Sequence, residues 1–165
     1  MPDAPSTQQP DPNPHPAPGA AAPIAAPRAP VTEGRVVELI GDQVVLKLPG
    51  TDYRLHLLLE AGGGGGARPS VGAKLTGRIA VDAQRLDRIP AGGTYIEPCF
   101  GRPRRLQGRV LGVDEQKRPH RLLVSCGGAL FACTLTDKRQ NPADFPTGHL
   151  VSFDVERGAR FEPMG

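Results

Sequence analysis

Alternating apolar and polar residues mark four short segments that predict β-strands: residues 44–48, 55–59, 122–124 and 131–135. A period of two places one set of side chains on the buried face of a sheet and the other set outside. The expected inward residues of the second and fourth segments are Leu55, Leu57, Leu59, Phe131, Cys133 and Leu135. The expected outward residues are His56, Leu58, Ala132 and Thr134.

The two halves of the chain repeat one pattern of residues. Gly34-Arg35-Val36 opens the first half, and Gly108-Arg109-Val110 opens the second half. Later correspondences have an offset that is longer by two positions, and they include Leu46 with Leu122, Leu48 with Val124, Leu57 with Cys133 and Gly72 with Gly148. One two-residue insertion in an exposed hairpin tip accounts for the change, since such tips tolerate insertions. The repeat predicts a duplicated β unit, and chance agreement between two all-β stretches is the alternative.

Each half opens on Gly-x-Val-x-x-aliphatic, and this two-then-three spacing predicts a bulged or strongly coiled first strand. The loop at residues 137–145 has room for one helical or 3₁₀ turn. Fifth strands are expected at residues 86–89 and near Arg160-Phe161, and each half then closes on an apolar-Glu-Pro triplet. The order in each half is three strands, a loop and two strands. This order predicts an all-β protein with two tandem five-stranded barrels.

Residues 1–31 predict a disordered tail rich in proline and alanine. Ten of the nineteen prolines precede Val31, and proline lacks the backbone donor that ladders and helices need. No secretory signal and no membrane-spanning segment is expected, because no apolar run reaches the required length. The five glycines at residues 62–66 predict a flexible linker and not a phosphate-binding loop, since no Gly-Lys-Ser/Thr ending follows.

Positive charge is concentrated in the second half of the chain. Residues 31–98 hold eight Lys/Arg and eight Asp/Glu, whereas residues 99–165 hold eleven against seven, a net of +4. The densest cluster, which we call the junction arginines, consists of Arg102, Arg104, Arg105 and Arg109. Such a cluster can attract phosphates, or it can simply be solvated.

The titratable residues form no pattern typical of a catalytic or metal site. Cys99, Cys126 and Cys133 are odd in number and lack the two-residue spacing of zinc ligands. None of the four histidines has a partner at a spacing that defines a catalytic triad. We therefore expect no enzyme activity, no metal and no cofactor, and the absence of a disulfide framework favours a reducing, cytoplasmic setting.

The strand pattern, together with residues 71–79 in the first half and 148–155 in the second, resembles OB-fold repeats of the ribosomal RNA-binding type. The resemblance covers roughly residues 33–90 and 107–161. It implies that aromatic and basic side chains on the second and third strands face nucleic acid, where bases stack on aromatic rings. The matching residues are Tyr53, Arg54 and His56, which become Ala129, Leu130 and Ala132 in the second half.

The resemblance and the junction arginines favour a non-catalytic binding module for RNA or single-stranded nucleic acid, bound near the junction of two OB-like barrels at residues 32–98 and 99–165. The expected nucleic-acid-binding residues are Arg102, Arg104, Arg105, Arg109, Tyr53, Arg54 and His56. A protein-interaction or scaffold module is the alternative, because a small barrel can accept a partner's peptide at a strand edge. No membrane partner is expected.

A further alternative concerns the two arginines that begin the second half. Arg105-x-x-x-Arg109, followed by Ser125 and Gly128, is similar to the cyclic-dinucleotide motif of PilZ-type barrels, with Leu123 at the position of that motif's aspartate. Strand-edge arginines next to an ordinary glycine hairpin would give the same residues.

Overall fold

The computed structural model describes residues 30–60 and 67–164, and this part of the chain is almost entirely β. The predicted tail, residues 1–31, lies outside the described residues except for its last two positions, and the predicted glycine linker at residues 62–66 lies wholly outside them. The strands are β1 (Thr32–Ile40), β2 (Gln43–Lys47), β3 (Arg54–Leu59), β4 (Lys74–Ala83), β5 (Asp87–Ile89), β6 (Tyr95–Glu97), β7 (Phe100–Gly101), β8 (Arg105–Asp114), β9 (Arg121–Cys126), β10 (Ala129–Leu135), β11 (Leu150–Asp154) and β12 (Arg160–Pro163). A 3₁₀ turn at Pro142–Asp144 lies in the loop where the sequence predicted one.

Five strands close into a barrel in the order β1-β2-β3-β12-β4, and β4 returns to β1. All neighbours in this barrel are antiparallel except β3 and β12, which run parallel. The fifth strand of the barrel is therefore β12, which comes from the end of the chain, and not the predicted strand at residues 86–89. That predicted strand forms as β5 and pairs with β11 instead.

The sheet continues beyond the barrel because β4 extends past Gly77, where its pairing with β1 ends. The second part of β4 pairs in parallel with β10, and the sheet then runs through β9, β8, β11 and β5. Two short strands, β6 and β7, pair with β8 and β3 respectively. The division at residues 98 and 99 stays a prediction, but backbone pairing crosses it at β4–β10, β3–β12, β3–β7 and β5–β11.

The buried positions follow most of the predicted alternation. Leu55, Leu57, Phe131 and Cys133 are each 0% exposed, which confirms them as inward residues. Leu59 and Leu135 are only partly buried, although both pack against the core. Ala132 was expected to face outward but is 0% exposed, because β10 lies in the middle of the sheet and residues of the first half pack against it. Thr32, for example, exchanges two hydrogen bonds with the backbone of Leu130.

The first strand of each half contains a bulge and accepts an equivalent hydrogen bond from a glycine. The register shifts between Val36 and Glu38 in β1 and between Val110 and Gly112 in β8, which confirms the predicted bulges. The amide of Gly72 donates to the carbonyl of Val36 at 2.7 Å, and the amide of Gly148 donates to that of Val110 at 2.8 Å. Both glycines have positive φ, +91° and +88°, which L-residues with a side chain rarely adopt.

Strand pairing corrects the predicted correspondence between β2 and β9. Val36 pairs with Leu46 and Val110 pairs with Val124, so Leu46 corresponds to Val124 and not to Leu122. The hairpin tip therefore carries a four-residue insertion, and the next turn is two residues shorter. The sequence could not distinguish these registers, because a shift of two residues leaves the alternation of inward and outward side chains unchanged.

A buried ion network joins the two halves of the chain. Arg121 Nη1 lies 2.7 Å from Glu162 Oε1, and Arg121 Nη2 lies 3.1 Å from Asp114 Oδ2. Arg78 Nη1 lies 2.9 Å from the same oxygen of Asp114, and Arg78 Nε lies 3.5 Å from Glu162 Oε2. Burial is the largest single effect on Asp114 and Glu162 and works against their ionisation, but the hydrogen bonds from Arg121 and the nearby positive charges together outweigh it and lower the pKa of both carboxyl groups.

This network predicts a loss of stability in acid. Since the folded-state pKa values of Asp114 and Glu162 are lowered, the stabilisation is present above their unfolded values of about 4 and disappears as the pH falls through the folded values. Urea unfolding at a series of pH values should show this decline. Asp114→Asn should reduce the decline and cost about 3 kcal/mol at neutral pH. Asp154→Asn, which removes an exposed carboxylate, should cost no more than about 0.5 kcal/mol; an equal cost for both variants would contradict the network's importance.

The three cysteines differ in burial, which can be tested with a thiol reagent. Cys126 and Cys133 are 0% exposed, and burial raises the pKa of both thiols, whereas Cys99 is exposed. Because the thiolate is the reactive form, Ellman's reagent should label one thiol of the folded protein and three in denaturant. Rapid labelling of a second thiol without denaturant would contradict the packing of β9 and β10.

Candidate nucleic-acid interface

The structure places Arg105 between acidic neighbours on both sides. Arg105 lies in β8, opposite Glu97 of β6 and opposite Asp154 of β11. Its Nη1 atom lies 3.4 Å from Asp154 Oδ1, and its Nη2 atom donates to Ser152 Oγ at 3.4 Å. A side-chain hydrogen bond with Tyr95 and the charge of Asp154 raise the pKa of Arg105. This arginine therefore has acidic partners within the protein, and its side chain is half exposed.

The other junction arginines contact different parts of the chain. Arg109 is exposed, and its Nη1 atom donates to the carbonyl of Gly148 at 3.1 Å. Arg104 is exposed, and its backbone bonds to Glu97 and Val155. Arg102 follows β7, which pairs with β3 and not with β8, and it lines the same groove as His56. That the junction arginines form one phosphate-binding cluster stays a prediction.

Tyr53 is used in packing between the halves of the chain. It is half-buried and contacts the core, and its hydroxyl accepts a hydrogen bond from the backbone amide of Ile96 at 3.2 Å. Gly127 approaches so closely that a Cβ there would lie 2.8 Å from the tyrosine ring. This surrounding leaves Tyr53 less open to a stacked base than the sequence suggested.

Arg54 and His56 lie on the outward face of β3 beside an exposed aromatic ring. Phe100 of β7 pairs with Arg54 and is 58% exposed. The rings of His56 and Phe100 meet edge to face, with centroids 5.1 Å apart and planes at 77°. Phe100 therefore supplies the exposed aromatic surface that Tyr53 does not.

Four basic residues stand side by side across four neighbouring strands of the barrel. Lys74 of β4 pairs with Arg35 of β1, Arg35 pairs with Lys47 of β2, and Lys47 pairs with Arg54 of β3. All four side chains are exposed. We call this set the cationic row. Because neighbouring strands are about 4.8 Å apart, the row spans roughly 14 Å.

The cationic row carries a net positive charge, with Glu33 as the carboxylate that lines its groove. None of its four members takes part in an ion pair among residues 30–60 and 67–164; Arg35 donates instead to the carbonyl of Gly72 at 2.9 Å. An open groove of about 600 Å³ runs along Arg35, Lys47 and Lys74, with Glu33 at its side. The arrangement provides a concave, positively charged surface that can accept an extended anion.

Sequence reasoning identified Arg54 and His56 but missed Arg35, Lys47, Lys74 and Phe100. The alternation already places Lys47 outward, between the inward residues Leu46 and Leu48. The sequence does not reveal the register of β1 against β2 and β4. This register is what aligns the four cations in one row. Phe100 was hidden because β7 is two residues long and has no pattern of its own.

Neither a scan against protein-family models nor a search of the curated proteins finds a match to this chain. Within the described residues, no helix has the length and apolar character needed to cross a membrane. No group of three or more His, Cys, Asp or Glu side chains in the same part of the chain is arranged to hold a metal ion.

Proposed function

We propose that the chain is a non-catalytic binding module that holds RNA or another single-stranded nucleic acid against the outer face of β4, β1, β2 and β3. The cationic row is the observation that carries this proposal. Lys74, Arg35, Lys47 and Arg54 are in register on one exposed face without acidic partners. Proteins that bind single strands without sequence preference combine such a groove with aromatic rings.

The electrostatic cost of the cationic row supports a role in binding. Like charges directly opposite on neighbouring strands destabilise a sheet, by an amount comparable with the roughly 0.2–1 kcal/mol that an opposite-charge pair contributes. Three such pairs follow one another here, Lys74–Arg35, Arg35–Lys47 and Lys47–Arg54. A bound phosphate backbone would relieve this repulsion, and its released counterions would favour association.

Phe100 supplies the other half of the recognition surface. Its ring is exposed beside Arg54, so a base adjacent to the bound phosphates can stack on it. Stacking of one base on an aromatic side chain contributes on the order of 1–3 kcal/mol and tolerates any base. The site therefore suits a single strand with its bases unstacked better than a duplex.

The pairing of β4 also supports the finer proposal of two tandem OB-like barrels. The second barrel would comprise β8, β9, β10, the second part of β4, and β11. The parallel pairing of β4 with β10 matches that of β12 with β3, and a bridge between Ala83 and Val155 connects β4 to the end of β11. In this proposal β12 of the second half completes the first barrel, and β4 of the first half is shared by both barrels.

The binding proposal is tested by measuring affinity for a fluorescent oligouridylate of about ten nucleotides, a length within the range that one OB barrel covers. The logarithm of the affinity should fall with the logarithm of the salt concentration, with a slope of roughly −2 to −3 for three or four phosphate contacts. Arg35→Ala should make the slope shallower by about 0.7, since one contact is lost. Phe100→Ala should weaken binding with an unchanged slope.

Arg109→Ala is the matched control for Arg35→Ala. Arg35 follows Gly34 and Arg109 follows Gly108, the glycines that open the repeated pattern, and each arginine donates from Nη1 to the carbonyl of a glycine with positive φ. Arg109 is flanked by Leu150 and Ser125 where Arg35 is flanked by lysines. An equal effect of the two variants would move the site to the junction arginines, and no retention of RNA at low salt would reject the proposed function.

A further inference from the structure

A second groove lies beside β3, where four segments of the chain meet, one of them Gln43 at the start of β2. His56 and Leu58 contribute from β3, Arg102 from the residues after β7, and residues 157–159 from the loop between β11 and β12. The groove has a volume of about 210 Å³. We call it the arginine groove because Arg102 and Arg157 both line it.

The arginine groove is positively charged and contains a polar atom that lacks a partner. No carboxylate is among its lining residues, and within the described chain neither Arg102 nor Arg157 forms an ion pair. The Nε2 atom of His56 is buried and makes no hydrogen bond to any described residue. A buried polar nitrogen without a partner lowers the stability of the fold by on the order of 1–3 kcal/mol. A ligand that forms a hydrogen bond with this atom would remove that penalty.

The walls of the groove are held in place by the fold. The amide of Leu58 donates to the carbonyl of Ala159 at 3.0 Å, which fixes the loop at residues 157–159 against β3. The edge-to-face contact with Phe100 positions the imidazole of His56. These contacts bring Arg157, from the end of the chain, to the same place as two side chains of earlier segments.

We propose that the arginine groove binds one phosphate group, with Arg102 and Arg157 supplying charge and His56 Nε2 a hydrogen bond. This inference deepens the proposed function and rests on it, because the groove opens on the same outward face of β3 as Arg54 and Phe100. From Arg54 to Leu58 the strand covers about 13 Å. A single-stranded nucleic acid that crosses the cationic row and stacks a base on Phe100 therefore brings a later phosphate to this groove.

The groove is tested on the full chain by following the imidazole nitrogen signals of His56, assigned by their loss in His56→Asn. Addition of the oligouridylate should shift these signals in the wild-type protein. Arg157→Ala should abolish the shift and make the salt slope of RNA affinity shallower by about 0.7, the change expected for one lost phosphate contact. Arg85→Ala, which removes the same charge from an exposed position next to β5, should change neither measurement.

The outcomes separate this inference from the proposed function. If RNA binds but the His56 signals stay in place and Arg157→Ala keeps the wild-type slope, the groove proposal fails while the binding proposal stands. If no RNA binds, the proposed function fails, and inorganic phosphate alone becomes the probe. A saturable shift of the His56 signals by inorganic phosphate, absent in Arg157→Ala, would then support the groove as a site for free phosphate, and no shift would overturn it.

Discussion

The insertion of β12 between β3 and β4 is the pairing on which the rest of the structure depends. Without it the five-stranded barrel has an open gap, because β3 and β4 do not pair directly. The buried network of Arg78, Asp114, Arg121 and Glu162 lies next to this pairing, and it connects β12 and β4 to β8 and β9. Burial of four charges is costly unless each is paired, so the network penalises any arrangement in which β12 leaves its position.

The same insertion creates the surfaces proposed for binding. Closure of the barrel fixes β4 against β1, and this register places Lys74 beside Arg35 and completes the cationic row. The chain that leads into β12 carries Arg157 to the groove beside β3, where it meets His56 and Arg102. The residues that lead into β12 therefore complete a binding surface whose other residues all precede position 103.

The sequence predicted the local elements of this fold better than their partners. Alternation identified Leu55, Leu57, Phe131 and Cys133 as buried, and the spacing of glycine and valine predicted both bulges, because these features depend on neighbouring residues alone. The insertion of β12 between β3 and β4 and the pairing of β4 with β10 depend on contacts between distant residues, for which alternation holds no information. The cationic row was missed for the same reason, since Lys47 and Lys74 become neighbours of Arg35 only through the register.

The difference between the two halves explains why only the first presents a cationic row. The residues paired in the equivalent positions of the second half are Leu130, Ser125, Arg109 and Leu150. Leu130 and Leu150 are each 5% exposed. Leu130 packs against Thr32 and Leu150 pairs with β5, so small or apolar residues are required at both positions. No such packing covers the first half's face, and solubility alone would be served better by mixed charges, which attract across strands. Four adjacent cations go beyond what solvation needs, and the proposed polyanionic ligand would account for them.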